Sequence, residues 1–176
     1  MNFSETPLRG SYVLDIEKIE DKRGFFARSF CQKEFAIMGL NPCIAQCNIS
    51  FNSVAGTLRG MHYQISPHAE TKIVTCITGA IFDVIIDLRS DSCTYLQWFG
   101  IELSGDNYRL LYVPQGFAHG FQTLVDNTTV HYQISEFYNP ESARGIRWDD
   151  PVFNISWPQN DNRILSDKDA SYPLFR

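Results

Sequence analysis

Two short segments of the sequence each place a histidine close to glycine. The first, LRGMHYQ at residues 58–64, contains His62, and the second, PQGFAHGF at residues 114–121, contains His119. A glycine near a functional side chain lets another backbone or a ligand approach closely. Because imidazole titrates near neutral pH, both histidines are candidates for accepting or donating a proton.

The segment around His119 resembles the second metal-binding motif of the cupins, P-x-G-x-x-H. The first cupin motif has the form H-x-H, followed by a glutamate and then a glycine. The matching positions in this chain are His62, Gln64, Lys72 and Gly79. Two of the four metal ligands are therefore replaced, one of them by an ammonium group, and a divalent metal needs more neutral or anionic ligands than remain. We predict a cupin-like barrel that holds no metal.

A base, an ammonium group and a phenol inside a dry barrel suit the removal of a proton next to a carbonyl group. His62 would take the proton, and Lys72 would stabilise the enolate oxygen as negative charge develops there. An acid on the opposite face of the substrate would return a proton and invert the carbon centre. Tyr132 is the candidate for this acid.

The sequence around Tyr132 predicts that its side chain points into the barrel. Residues 128–135 read TTVHYQIS, and successive side chains of a strand point to opposite faces. Tyr132 therefore shares a face with Val130 and Ile134, while His131 lies on the other face. Since the apolar face should line the barrel, we expect Tyr132 inside and His131 outside.

Each of these residues also has an ordinary structural interpretation. An inward tyrosine is more often a core residue with a hydrogen-bonded hydroxyl, and a lysine ahead of an apolar strand usually lies on the surface. A histidine beside glycine is likewise more often structural than catalytic. The combination indicates an active site more specifically than any single member does.

Short β-strands separated by turns must position these side chains. The segments KIVTC, AIFDVIIDL, WFGIEL, YRLLYV and TTVHYQIS are rich in the residue types that favour strands. Turn-forming residues separate them at positions 78–79, 104–107, 114–116 and 126–127. Many short strands with frequent turns are typical of a sandwich or a closed barrel. We predict that residues 1–176 form one all-β domain, a cupin-like antiparallel β-barrel (jelly roll) with one or two short helices.

One segment, SFCQKEFAIMG at residues 29–39, predicts a helix of about nine residues. Ser29 and Gln32 have the spacing of a capping box, and Gly39 can end the helix in a left-handed conformation. The polar tail after Trp157 should cross the surface, with one short turn near residues 166–169.

Composition and charge limit the possible partners and location. The chain has 176 residues, of which 44% are hydrophobic, and a formal net charge of −5. An acidic protein is a poor partner for nucleic acid or an anionic membrane, although local arginines can still bind a phosphorylated small molecule. The five cysteines include no C-x-x-C pair, and neither a signal peptide nor a transmembrane segment is evident. These features are typical of a cytoplasmic protein.

From about Thr6 to Pro173, the sequence resembles the dTDP-4-dehydrorhamnose 3,5-epimerase family. Six ordered stretches carry the resemblance: DKRGFF at 21–26, QCN at 46–48, LRGMHYQ at 58–64, PQGFAHGF at 114–121, GIRWDDP at 145–151 and LSDKD at 165–169. The resemblance implies a cytoplasmic homodimer that uses no cofactor and serves polysaccharide biosynthesis. Its expected reaction converts dTDP-4-dehydro-6-deoxy-D-glucose to dTDP-4-dehydro-L-rhamnose by inverting C3 and C5 through enolate intermediates.

The resemblance also implies a role for each site residue. His62 would be the general base, oriented by the carboxylate of Asp169, and Tyr132 would donate the proton. Lys72 would hold the enolate at the sugar C4 oxygen, with His119 nearby. The diphosphate would be bound by guanidinium groups, which suit bidentate contacts, and the rest of the nucleotide by amides, a lysine and a stacked tyrosine. These substrate-binding residues would be Arg23, Arg59, Gln46, Asn48, Lys168 and Tyr138.

Three positions depart from the family pattern. Arg28 and Ala143 stand where members often have glutamate, and Cys47 stands where they have aspartate. In the family, the positions of Arg28 and Ala143 lie among the nucleotide-contacting residues. The departures therefore leave the reaction class unchanged but leave open which nucleotide carries the sugar.

Other functions also remain open from the sequence. A 3-epimerase acting at one carbon would keep the same base and could keep the same tyrosine. A metal-dependent cupin oxygenase is disfavoured by Gln64 and Lys72. A non-catalytic sugar-nucleotide-binding module would have no reason to keep a base together with an acid.

Overall fold

The structure is a computed structural model that describes residues 1–161 and 163–175. The strands of the amino-terminal half are β1 (Asn2–Glu5), β2 (Tyr12–Asp15), β3 (Ile19–Asp21), β4 (Gly24–Phe26), β5 (Gln46–Asn52), β6 (Leu58–Gln64), β7 (Lys72–Thr78) and β8 (Ala80–Asp87). Those that follow are β9 (Trp98–Ser104), β10 (Leu110–Val113), β11 (Phe117–Thr123), β12 (Thr128–Ile134) and β13 (Ala143–Gly145). The helices are α1 (Gln32–Ile37) and α2 (Asp167–Ala170).

Two antiparallel sheets make up the cupin-like jelly roll. The six-stranded sheet has the order β1-β2-β10-β7-β12-β5, and the five-stranded sheet has the order β13-β6-β11-β8-β9. Strands β3 and β4 form a separate hairpin. The two histidine motifs are therefore neighbours, because β6 and β11 pair directly in the five-stranded sheet.

The main core lies between the two sheets. Val74 and Val130 of the six-stranded sheet belong to one buried cluster with Ile85 and Phe121 of the five-stranded sheet. Each such side chain contributes about 1.5–3 kcal/mol on burial. Because strand side chains alternate between faces, the same strands can also direct polar groups into a cavity.

The outer face of each sheet is covered as well. Phe35 of α1 packs with Leu14 and Ile73 on the six-stranded sheet. On the five-stranded sheet, Val84 packs with Phe153 from the segment that follows β13. The segment that covers the five-stranded sheet leads into α2, so it also brings the C-terminal part of the chain to the site.

The predicted strands are all present, as β7, β8, β9, β10 and β12, and three predicted turn residues take left-handed backbone angles. The φ values are +77° at Gly79, +79° at Gly116 and +55° at Asn127. The predicted turn near the end of the chain is α2, for which Ser166 is the N-cap. No helix in residues 1–161 or 163–175 is long and apolar enough to cross a membrane.

The predicted capping box of α1 was wrong. Cys31, rather than Ser29, is the N-cap, and its side chain makes no capping hydrogen bond. The helix has six residues, and the ring of Phe30 packs against that of Phe35 at a centroid distance of 5.0 Å. Apolar packing thus takes the place of a polar cap at the entry of the helix. Its predicted end was confirmed, since Gly39 follows the C-cap with a φ of +70°.

Candidate active site

A cavity of about 510 Å³ is lined by side chains from both sheets and from α2. It brings together most of the residues that the sequence analysis selected. These residues are His62, Tyr132, Asp169, Gln46, Asn48, Arg59, Lys72, His119, Tyr138 and Lys168.

His62 and Asp169 form a hydrogen-bonded pair in this cavity. The distance from His62 Nε2 to Asp169 Oδ1 is 2.7 Å, although 107 positions separate the two residues in the sequence. Asp169 is held in place by the backbone N–H of Gly60, which donates to Oδ2 at 3.3 Å. Its own N–H donates to the capping hydroxyl of Ser166 at 3.1 Å.

The electrostatics of this pair suit a general base. Burial opposes ionisation of Asp169, but the hydrogen bonds from His62 and Gly60 outweigh burial and lower the pKa of the carboxyl group. A carboxylate that accepts a hydrogen bond from one ring nitrogen orients the imidazole and stabilises its protonated form. The other ring nitrogen of His62 can then accept a proton from a ligand in the cavity.

His119 has a carboxylate partner of its own, which the sequence analysis missed. Its Nε2 lies 2.8 Å from Oδ1 of Asp83 on β8, and both side chains are buried. Burial raises the pKa of Asp83. The second carboxyl oxygen of Asp83, Oδ2, has no hydrogen-bond partner in the described part of the chain. The available signal was an acidic residue in the middle of the apolar strand AIFDVIIDL.

Tyr132 points inward, as the alternation of β12 predicts. Its ring lies edge-on to that of His119, with centroids 6.1 Å apart, and 6.5 Å from that of Phe121. Burial, and to a smaller extent the charge of Asp83, raise the pKa of Tyr132. The phenol therefore stays protonated at neutral pH and is able to donate a proton.

Lys72 is a buried cavity residue rather than a surface lysine. Its Nζ lies 2.9 Å from Oε1 of Glu70 and 3.2 Å from the backbone oxygen of His62. Glu70 also lines the cavity and was not selected from the sequence. It precedes β7 in a loop, where no periodic pattern indicates the direction of a side chain.

Tyr172 is a third residue that sequence reasoning missed. Its ring lies edge-on to that of His62, with centroids 5.8 Å apart. It packs so closely over Gly145 that a β-carbon at that position would lie 2.3 Å from the ring. The C-terminal segment therefore supplies both a carboxylate and an aromatic wall to His62.

The remaining polar residues occupy other parts of the cavity wall. Arg59 donates from Nε to Oδ1 of Asn52 at 2.8 Å, and Oε1 of Gln46 accepts from the backbone N–H of Tyr138 at 3.2 Å. Tyr138 and Lys168 are exposed. Proximity to Tyr172 is the main cause that raises the pKa of Lys168. The cavity wall thus presents cations, amides and an exposed aromatic ring.

Arg23 is the one selected residue that does not line the cavity of its own chain. It lies on the turn of the β3–β4 hairpin, where its guanidinium group pairs with Asp21 and its side chain is 83% exposed. The same hairpin exposes the apolar side chains of Ile19 and Phe26.

The side chain of Gln64, which stands at a cupin ligand position, is committed to holding loops together. Its Nε2 donates to the backbone oxygens of His68, at 2.9 Å, and Phe137, at 3.2 Å. Its Oε1 accepts from the backbone N–H of Asn139 at 2.7 Å. Within residues 1–161 and 163–175, no group of three or more His, Cys, Asp or Glu side chains could hold a metal ion.

Comparison with known proteins identifies close relatives over nearly the whole chain. The sequence model of a protein family described as dTDP-4-dehydrorhamnose 3,5-epimerase matches residues 5–176. A protein of that name from Sinorhizobium fredii is 43% identical over 173 residues, which are 98% of this chain and 89% of the relative.

Solved structures agree with this similarity. A dTDP-4-dehydrorhamnose 3,5-epimerase from Bacillus anthracis, with TDP and PPi bound, is 44% identical, with a TM-score of 0.94 and 99% coverage of both chains. A dTDP-6-deoxy-D-glucose-3,5-epimerase from Legionella pneumophila, in complex with dTDP-4-keto-L-rhamnose, is 37% identical with a TM-score of 0.92. That match covers 98% of this chain and 92% of the other.

Proposed function

Because the chain belongs to the dTDP-4-dehydrorhamnose 3,5-epimerase family, and is therefore an isomerase, we propose that it converts dTDP-4-dehydro-6-deoxy-D-glucose to dTDP-4-dehydro-L-rhamnose. The observation that carries this proposal is the presence of His62, paired with Asp169, in one cavity with the phenol of Tyr132. Inversion of a carbon centre needs a base and an acid that address opposite faces of the substrate.

In the proposed reaction, His62 removes the proton from the carbon next to the C4 ketone. The electron pair of the C–H bond moves into a C–C double bond, and the carbonyl electrons move to the C4 oxygen. Lys72 donates to this oxygen, and His119 lies close by. Groups that are already aimed at the position where charge develops lower the barrier without rearranging during the reaction.

Tyr132 then delivers its proton to the other face of the same carbon, which completes the inversion. The tyrosinate and the imidazolium must both return to their starting states before the second centre reacts. The side chain of His62 is 42% exposed, so it can release its proton to water. Tyr132 regains a proton through the open cavity.

We assign the nucleotide to the cations, the amides and the exposed tyrosine of the cavity wall. Arg59 and Lys168 supply positive charge for the diphosphate, and Tyr138 offers an exposed ring for stacking on the base. Gln46 and Asn48 supply amide groups from the edge strand β5. Bidentate guanidinium contacts favour phosphate, and aromatic faces stack on bases.

The three positions that depart from the family pattern concern the choice of nucleotide rather than the reaction. Of the three, only Ala143 lines the cavity of its own chain. Arg28 pairs with Glu34 at 2.7 Å, and Cys47 is exposed. The same chemistry on a sugar carried by another nucleotide, or at C3 alone, would use the same base and oxyanion contacts.

We further propose that the protein is a cytoplasmic homodimer. The five cysteines are all free, which suits a reducing compartment. Phe26 on the β3–β4 hairpin is 73% exposed, and Ile49 and Phe51 on the edge strand β5 are 70% and 58% exposed. Apolar edges of this kind are protected by pairing with another chain. In such a dimer, Arg23 would act on the diphosphate in the cavity of the partner.

The test is incubation with dTDP-4-dehydro-6-deoxy-D-glucose in deuterated water, followed by proton NMR at C3 and C5. The wild-type protein should exchange both protons and form the inverted product. His62→Ala should exchange neither, because no base remains to form an enolate. His131→Ala is the matched control, since His131 lies on the opposite face of β12 from Tyr132.

Tyr132→Phe separates the acid from the base. Exchange should continue and outrun net inversion, because protons return to the face that they left. Inversion should fall by about 10²–10⁴-fold, which is the usual contribution of a positioned acid. Exchange at C3 alone would identify a 3-epimerase, while exchange by the His62→Ala variant would reject the proposed base.

A further inference from the structure

The number of hydrogen-bond donors on the ammonium group of Lys72 points to a role for Glu70. A lysine ammonium group carries three N–H donors and no acceptor. One donor of Lys72 faces the backbone oxygen of His62 at 3.2 Å, and another faces Oε1 of Glu70 at 2.9 Å. One N–H therefore remains for a ligand in the cavity that all three side chains line.

The loop that carries Glu70 is held on both sides. Before Glu70, the backbone oxygen of His68 accepts from Nε2 of Gln64, and that of Ala69 accepts from Nε2 of Gln115, each at 2.9 Å. After Glu70, the backbone N–H of Thr71 donates to the hydroxyl of Ser135 at 2.8 Å. A carboxylate on a loop fixed in this way can hold the ammonium group of its partner in one orientation.

The ion pair is also shielded from water. Side-chain exposure is 10% for Lys72 and 11% for Glu70. An isolated ammonium at this depth would be costly, and pairing offsets that cost. A pair needed only for this purpose could lie anywhere in the core, yet this one lines the cavity next to the proposed base.

We propose that Glu70 is a positioning residue of the epimerase reaction, which fixes Lys72 so that its remaining N–H meets the C4 oxygen of the sugar. The inference rests on the proposed function, because it needs an enolate oxygen for Lys72 to stabilise. In the resting site the Lys72–Glu70 pair has no net charge, so it can receive a neutral keto sugar. When the oxyanion forms, the ammonium group is already aimed at it and shares its charge between two acceptors.

The test compares Glu70→Ala with Glu70→Gln in the deuterium-exchange assay. Glu70→Ala removes the acceptor, so kcat for exchange at C3 and C5 should fall by about 10- to 100-fold, the usual cost of a small misplacement. Glu70→Gln keeps an acceptor oxygen in the same place but removes the counter-charge, so kcat should fall by less than in Glu70→Ala. Glu102→Ala, an exposed glutamate on β9 that does not line this cavity, is the matched control.

Calorimetric binding of dTDP separates positioning from loss of fold. The Glu70→Ala variant should bind dTDP with the stoichiometry of the wild type and an affinity within about threefold, because the groups assigned to the nucleotide are all retained. Its ratio of exchange to inversion should also match the wild type, unlike that of Tyr132→Phe. Wild-type kcat in Glu70→Ala, or an equal loss in Glu70→Gln, would overturn the proposal for Glu70 alone. Absence of exchange in the wild-type protein would overturn the proposed function and the role of Glu70 with it.

Discussion

Gly60 and Gly120 face each other across β6 and β11 at a distance that leaves no room for a side chain. A β-carbon on Gly60 would lie 2.6 Å from Cα of Gly120, and one on Gly120 would lie 2.7 Å from the backbone oxygen of Arg59. The two glycines near histidine in the sequence thus serve a close approach of the two motif strands. That approach brings His62 and His119 opposite each other in the register of the sheet.

Substitution of Gly120 by alanine should therefore destabilise the fold. Gly60 has a φ of +139°, whereas the φ of Gly120 lies outside the left-handed region, so the cost at Gly120 comes from contacts alone. Overpacking of this kind costs about 1–3 kcal/mol. Urea denaturation should show this loss in the free energy of unfolding. A Gly120→Ala variant as stable as the wild type would mean that the strands can separate without cost.

Removal of Asp83 should harm both stability and catalysis. Its Oδ1 is the partner of Nε2 of His119, and breaking a buried pair by removing one member costs about 3–5 kcal/mol. Asp83→Ala should lower the free energy of unfolding by this amount and slow deuterium exchange. Asp83→Asn keeps an oxygen next to His119 and should recover most of the stability. Equal stability of Asp83→Ala and the wild type would show that the pair contributes nothing to the fold.

The pH dependence of stability should contain a contribution from Asp87. Burial opposes its ionisation, but hydrogen bonds from Arg89, Ser92 and Thr94 outweigh burial and lower its pKa to about 2. Because the pKa in the folded state is depressed, the stabilisation is complete above pH ~4 and is lost as the pH falls through about 2.

Asp87→Asn mimics the protonated carboxyl group and tests this contribution. The variant should be less stable than the wild type by about 1–2 kcal/mol at pH 7. As the pH falls from ~4 to about 2, the carboxyl group of the wild type takes up its proton first in the unfolded and then in the folded state, so the two stability curves should converge. The measurement is urea denaturation at a series of pH values. A constant difference between the curves down to pH ~2 would assign the effect to packing instead.

Activity should not depend on a metal ion. At the cupin ligand positions this chain has a loop-bound amide at Gln64 and an ammonium group at Lys72. Protein treated with EDTA should therefore keep its full exchange and inversion rates, since the amide of Gln64 is engaged in loop contacts and an ammonium group has no lone pair to bind a cation. Stoichiometric metal in the purified protein, with loss of turnover on removal, would contradict this expectation.

If the protein is a homodimer, sedimentation at micromolar concentration should show a species of twice the chain mass of 20.2 kDa. The double substitution Ile49→Glu and Phe51→Glu should shift the protein to the monomer, because each chain would bury two charges in the interface. Val152→Glu, at another exposed apolar residue, is the control. A wild-type protein that sediments only as the monomer would remove the proposed role of Arg23 in the partner cavity.

The local parts of the site could be predicted from sequence because they follow from strand periodicity and motif spacing. The alternation of β12 is enough to direct Tyr132 inward, and the two histidine segments are visible as patterns. The pairing of His62 with Asp169 is different in kind, since 107 positions separate them. Only resemblance to a family indicated it, because no local pattern specifies a contact between a central strand and the C-terminal segment.

The residues that were missed lie where the sequence carries no periodic signal. Glu70 stands in a loop and Tyr172 in the C-terminal segment, so their directions depend on contacts with distant residues. Asp83 lies in a strand, but the identity of its partner depends on the register of β8 against β11. The prediction of a capping box for α1 failed although the local spacing was present, because packing of Phe30 on Phe35 overrides that spacing.

The three hydrogen bonds of Gln64 have a consequence for how this protein can evolve. A histidine at this position would restore one cupin ligand, but its two ring nitrogens could not replace an amide that bonds His68, Phe137 and Asn139 at once. The loops that carry His68, Phe137 and Asn139 would lose their common anchor before any cation could bind. Acquisition of metal-dependent chemistry therefore requires several simultaneous substitutions, and single-step mutation is expected to pass through an inactive, less stable intermediate.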